Sequence, residues 1–138
     1  MNPTLKNILA VIAGLIFGSV INMSIAKLGN IIIPPPGDVD SLEALAATMQ
    51  LFETKHFLTP FLAHALGTFA GAMLTAFIAA SYKMKLALFI GVFFLAGGVT
   101  AVFLLPSPTW FTITDLSLAY IPMAYLGAKL AIQKSNKN

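Results

Sequence analysis

Four long apolar runs occupy most of this 138-residue chain. They cover roughly 5–28, 60–82, 84–105 and 112–132, and each approaches the ~20 residues that a helix needs to cross a ~30 Å hydrocarbon core. None alternates polar and apolar residues with a period of two, as the strands of a membrane barrel do. Because backbone groups in lipid must be satisfied within each segment, the runs indicate helices. The sequence therefore predicts an all-α fold, an integral membrane four-helix bundle formed by residues 1–138 as one domain.

The charge composition excludes several classes of protein. Only 9% of the residues are charged, whereas a soluble domain carries about a quarter. The sequence contains no Cys, which excludes disulfides and thiolate metal sites. The net charge of +3 comes from lysines dispersed among the ends of the runs rather than gathered in a patch. We therefore expect a lipid bilayer as the surroundings and no nucleic-acid partner.

The lysines also predict an orientation. Two of them, Lys27 and Lys55, fall on one side of the bundle, and the other six fall on the opposite side: Lys6, Lys83, Lys85, Lys129, Lys134 and Lys137. The positive-inside rule then predicts an inner or plasma membrane protein with both termini on the cytoplasmic side and residues 29–59 on the outer side. An alternative is that the first run is a signal peptide with a cleavage site near Ser24–Ala26, although its packing residues favour a retained helix.

Small residues at steps of four form a seam on each of the first two runs. Gly14 and Gly18 lie on the first seam, and Gly67 and Gly71 lie on the second. Such stripes allow helix backbones to approach closely in membranes. We expect the two helices to pack against each other or against copies, which predicts a homo-oligomer or a membrane protein partner.

The segment between the first two runs predicts a surface helix. Pro34, Pro35 and Pro36 form a rigid strut, and Gly37 permits a turn. Asp40 with Glu43 matches a capping box at the start of a helix. Apolar residues at helical spacing then predict an amphipathic helix of ~14 residues, too short to span, which would lie on the outer surface or on top of the bundle as a lid. Thr59 followed by Pro60 predicts the start of the next helix.

Three polar residues interrupt the apolar runs near their outer ends. Asn22, His64 and Asp115 all fall within roughly 5–10 Å of the outer boundary at 1.5 Å per helical residue, which predicts one polar layer and an outward-facing pocket. Each also has a structural interpretation. Asp115 follows Thr112 by three positions and could complete a capping box, while Asn22 and His64 could form hydrogen bonds between helices.

A divalent metal site is a further hypothesis. Glu53 and His56 have i,i+3 spacing, and together with His64 and Asp115 they provide two carboxylates and two imidazoles, which would suit zinc or iron. The pattern is incomplete, because di-iron bundles need two Glu-x-x-His pairs and two further Glu. The sequence identifies no other cofactor.

Three functions are consistent with these features. The first is a noncatalytic oligomer or subunit of a membrane complex, with an outward-facing polar pocket. The second is a channel or carrier for a small solute or ion that uses the layer of Asn22, His64 and Asp115. The third is a membrane enzyme in which Glu53, His56, His64 and Asp115 bind a metal or shuttle protons. No pairing of a nucleophile with a base is evident, so no residue is assigned as catalytic.

Overall fold

The computed structural model describes residues 1–137, and this part of the chain is helical without strands. The elements are α1 (Pro3–Ile32), α2 (Leu42–Met49), a 3-10 turn (Thr54–Phe57), α3 (Leu58–Ile78), α4 (Lys83–Leu104), α5 (Thr109–Leu118) and α6 (Ile121–Asn136). The predicted all-α fold is therefore confirmed for the described residues. Three helical stretches are long and apolar enough to cross a membrane: Pro3–Ile32, Thr54–Ile78 and Lys83–Leu104.

Helices α1 and α3 pack antiparallel along most of their length. Asn7 near the start of α1 bonds to Ser81 just beyond α3, with 2.9 Å between Nδ2 and Oγ. At the other end of the pair, Gly29 lies against Thr59. Between these points, glycines of each helix lie against the backbone of the other helix.

The four seam glycines lie at this contact. A Cβ atom on Gly14 would lie 2.6 Å from the carbonyl oxygen of Gly71, and one on Gly18 would lie 2.8 Å from that of Gly67. The reciprocal contacts of Gly71 and Gly67 are as tight, at 2.6 and 2.9 Å. The seam of α1 therefore packs against the seam of α3 within the same chain.

Helix α6 completes an alanine-rich core with α3 and α4. The fully or almost fully buried members of this core are Ala72, Ala76, Ala87, Ile90, Ala124, Ala128 and Ala131. We call the end of the bundle covered by α2 the α2 end, and the opposite end, which carries Lys6, Lys83 and Lys134, the lysine end. The alanine core fills the half of the bundle toward the lysine end.

The fourth apolar run is two helices rather than one. The sequence predicts a single helix over 112–132 with a kink at Pro122, but α5 begins at Thr109 and ends at Leu118, and α6 begins at Ile121. Pro122 occupies the start of α6, where a missing N–H is tolerated, because the first turn of a helix makes no use of it. The chain therefore breaks at Ala119 and Tyr120.

The surface segment also differs from its prediction. Helix α2 has 8 residues rather than ~14, and Ser41, not Asp40, caps it: Ser41 Oγ accepts the N–H of Ala44 at 3.1 Å. The backbone N–H of Asp40 is instead bonded to Asp38 Oδ1 at 2.9 Å, which closes a local turn.

The start of α3 is also earlier than the sequence indicates. The 3-10 turn leads directly into α3 at Leu58, so Thr59 is not the cap of this helix. Met49, Phe57 and Phe111 are buried together between α2, the 3-10 turn and α5. This cluster fixes α2 as a cover over one end of the bundle.

Candidate functional site

A histidine and an aspartate meet inside the bundle near the α2 end. His64 Nδ1 lies 2.9 Å from Asp115 Oδ1 and 3.1 Å from Oδ2. With the carboxylate ionised, Nδ1 carries the hydrogen and donates it to Asp115, because a carboxylate only accepts hydrogen bonds. The contact is a hydrogen bond with a neutral ring and an ion pair with a protonated one.

Regular helix geometry brings the pair together. His64 lies in the second turn of α3, and Asp115 lies in the middle of α5 with only 4% of its surface exposed. The predicted capping box of Thr112 and Asp115 is wrong, because α5 begins at Thr109, two turns before Asp115. The carboxylate therefore projects into the bundle and not onto a helix end.

Tyr120 is the third member of this cluster. Its hydroxyl donates to Asp115 Oδ2 at 3.1 Å, and its ring stacks on the His64 ring with the centroids 5.6 Å apart. A Cβ atom on Gly98 would lie 2.5 Å from the tyrosine hydroxyl oxygen, so a larger residue at this position would have to displace the tyrosine ring. Both carboxylate oxygens of Asp115 are thus engaged by protein groups.

Two adjoining cavities surround the cluster. The inner cavity has a volume of about 180 Å³, and its polar lining comes from Asn22, His64, Thr68 and Tyr120. The outer cavity, of about 160 Å³, lies beneath Leu45 and Met49 of α2 and reaches Asp115. His64, Gly98 and Ala101 line both cavities, so the histidine stands between them.

Thr68 contributes an unpaired hydroxyl to the inner cavity. The residue is 1% exposed, and its Oγ1 has no hydrogen-bond partner among residues 1–137. Other hydroxyls on these helices bond to the carbonyl four residues earlier; the examples are Ser24, Thr75, Thr100 and Thr114. Buried polar groups are normally satisfied, so this one calls for a partner within the cavity.

The structure separates the four side chains of the hypothetical metal site. Glu53 is exposed and lies 3.7 Å from the exposed Lys55 ammonium, and His56 is buried, where its Nδ1 accepts the backbone N–H of Glu53 at 2.9 Å. Only His64 and Asp115 meet. Over the described part of the chain, no three His, Cys, Asp or Glu side chains are close enough to share a metal.

The polar layer predicted from the sequence is therefore placed around two adjoining spaces. Asn22 and His64 line the inner cavity, and His64 and Asp115 line the outer one. Sequence reasoning missed Thr68, although its position four residues after His64 puts the two on one helix face. It also missed Tyr120 as a partner of Asp115, because five residues of continuous helix would not bring them together, whereas the break between α5 and α6 does.

Comparison with protein-family models, with curated proteins and with solved structures found no match to this chain. The fold and the site thus define a class and no more: a helical protein with three helices long enough to cross a membrane.

Proposed function

We propose that this chain is an integral membrane carrier for a small solute and that the His64–Asp115 pair lies at its binding centre. The observation that carries the proposal is the position of the pair, inside an apolar helical bundle and between two adjoining cavities. Ionisable side chains at such depth are costly and typically mark the path of a solute or a proton.

The proposal includes a membrane topology. Helices α1, α3 and α4 each cross once, and α5 and α6 together make the fourth crossing with 10 and 16 helical residues, about 39 Å at 1.5 Å per residue. The α2 end faces outward, and both termini are cytoplasmic in an inner or plasma membrane. This orientation is supported by the excess of lysines at the opposite end of the bundle.

A carrier agrees with the packing better than an open channel does. Ala72, Ala76, Ala87 and Ile90 all have 0% exposure and fill the bundle on the lysine side of the inner cavity. A solute that reaches the cavity from the α2 end meets this packed layer. Movement across the bilayer therefore requires the helices to rearrange around the site, as they do in alternating access.

His64 gives the site a means of coupling to protons. Its Nδ1 is bonded to Asp115, so the ring gains or loses a proton at Nε2. Nε2 accepts a hydrogen bond when the ring is neutral and donates one when the ring is protonated. A solute that bonds to this atom therefore has different affinities for the neutral and the protonated ring. By linkage, binding of the solute changes the proton affinity of the ring by the same factor.

Transport by purified protein in liposomes tests the proposal. A panel of small labelled solutes, uncharged, cationic and anionic, is offered to vesicles that contain a pH-sensitive dye. We expect at least one solute to enter faster than in empty vesicles, with a change of internal pH, and Asp115→Asn to slow this entry at least tenfold, about 1.4 kcal/mol. The exposed Asp40→Asn is the matched control. Equal rates for wild type and Asp115→Asn would contradict the assignment.

A further inference from the structure

We infer that the inner cavity, which is open at the exposed Gly97 of α4, is a binding site for a small uncharged polar molecule. This inference rests on the proposed function and names its substrate class. It begins from the Thr68 hydroxyl, which is almost fully buried and has no partner among residues 1–137. A ligand that bonds to this hydroxyl would satisfy a group that the protein leaves unsatisfied.

Charge decides the class of ligand. Among the residues that line the inner cavity, the titratable groups are His64 and Tyr120, and both are already bonded to Asp115. An anion would meet no free cation in this cavity, and a cation would find both oxygens of Asp115 engaged. The groups left for a ligand are neutral ones: the Thr68 hydroxyl, the Asn22 amide and His64 Nε2 in the unprotonated ring.

These groups can bond to both donors and acceptors. The amide of Asn22 offers both, the hydroxyl of Thr68 does the same, and Nε2 accepts while the ring is neutral. The rest of the lining is apolar or glycine, including Phe94, Gly67 and Gly97. A volume of about 180 Å³ holds several waters or one solute of a few non-hydrogen atoms. Small amides and polyols fit these requirements, and urea and acetamide serve as probes.

Gly97 provides a reporter position for the cavity. It lines the inner cavity, is exposed, and has nothing within 4 Å of the place where a Cβ atom would lie. Its neighbour Ala96 is also exposed but does not line the cavity. Because the chain has no Cys, Gly97→Cys and Ala96→Cys each introduce a single thiol.

The experiment labels these thiols in proteoliposomes with a small, membrane-impermeant methanethiosulfonate added at the α2 side. Thiols in contact with lipid stay protonated and react slowly, because the thiolate is the nucleophile. We expect Gly97→Cys to react at least tenfold faster than Ala96→Cys. Urea should protect Gly97→Cys better than guanidinium, and acetamide better than acetate; each pair has nearly the same shape and differs in charge. Equal labelling of the two positions, no protection by urea or acetamide, or better protection by the charged probe would overturn the inference.

Two threonine variants separate binding from folding. Thr68→Val removes a hydroxyl without a protein partner, so it should weaken protection by the probes about tenfold and leave the unfolding midpoint unchanged or higher. Thr75→Val removes a buried hydroxyl that lies outside the cavity and bonds to Gly71 and Ala10 carbonyls at 2.9 and 3.2 Å. It should lower the unfolding midpoint and leave protection intact. The reverse pattern would overturn the role of Thr68.

The outcomes also separate this inference from the carrier proposal. Protection without transport would retain the site and exclude the carrier. Transport of a charged solute that depends on Asp115 would retain the carrier and exclude an uncharged substrate.

Discussion

His64 on α3 and Asp115 on α5 are 51 positions apart in the sequence, and their side chains meet at 2.9 Å. The contact joins the helix that packs along α1 to the shorter helix next to the break at Tyr120. It lies in the part of the bundle toward the α2 end, whereas the other half is filled by alanine and isoleucine. The site and the packed core are therefore segregated along the bundle, and variants in one can be compared with variants in the other.

Removing the histidine should destabilise the fold. We expect His64→Ala to lower the free energy of unfolding by about 3 kcal/mol, because it leaves the Asp115 carboxylate buried with only Tyr120 as a partner. The measurement is reversible unfolding in mixed micelles, followed by the fluorescence of Trp110, the single tryptophan. Lys55→Ala, which breaks an exposed ion pair, should cost less than about 1 kcal/mol. The double variant His64→Leu with Asp115→Leu should recover most of the loss; failure to recover it would contradict an unpaired charge as the cause.

Removing the tyrosine hydroxyl should have a smaller effect. Tyr120→Phe keeps the ring that stacks on His64 and deletes only the bond to Asp115 Oδ2, so we expect a loss of about 1.5 kcal/mol, typical of a hydrogen bond to a charged group. Tyr125→Phe is the control, since Tyr125 is exposed. The same unfolding assay measures both, and equal effects of the two changes would argue against the bond.

A methyl group on the seam should push α1 away from α3. In Gly71→Ala the new Cβ would lie 2.6 Å from the carbonyl oxygen of Gly14, and backbone cannot yield as a side chain can. We expect a loss of about 1–3 kcal/mol, as for overpacked cores. Gly97→Ala meets nothing within 4 Å and should cause no loss of stability. Similar unfolding midpoints for both variants would show that α1 and α3 are not in close contact at Gly71.

The proposed topology predicts opposite labelling at the two ends of the bundle. In intact cells, a membrane-impermeant thiol reagent should modify Glu43→Cys on α2 and spare Lys83→Cys at the turn into α4. Permeabilised cells should show both modified, which serves as the control for reactivity. Modification of Lys83→Cys in intact cells would reverse the assigned orientation.

Hydropathy in the sequence was sufficient for the helices but not for their ends. Runs of apolar residues predict α1, α3 and α4 because each run is continuous and long enough to cross a bilayer as a helix. The α5–α6 break was predicted as a kink, because Pro122 signals a lost hydrogen bond without revealing whether the helix bends or stops. The cap of α2 was assigned to Asp40, since Asp40 and Ser41 are adjacent and both are good caps; the local turn at Asp38 decides for Ser41.

The site was predictable in part. The cost of burying polar groups in apolar helices singles out Asn22, His64 and Asp115 from the sequence. The partners of Asp115 depend on where α5 lies against α3 and α4, which no local pattern encodes. Self-association or membership in a larger complex stays a prediction, and the seams on which it relied are engaged between α1 and α3 of one chain.

The interruption at Ala119 and Tyr120 divides the fourth apolar run into two separate helices, α5 and α6. α6 packs in the alanine core, whereas Phe111 of α5 packs with Met49 and Phe57. Met49 and Phe111 also line the outer cavity. A rotation of the backbone at these two residues would move α5 while α6 stays in place. Because Asp115 lies on α5 and His64 lies on α3, such a rotation would separate these two side chains and move Phe111 away from Met49 at the same time.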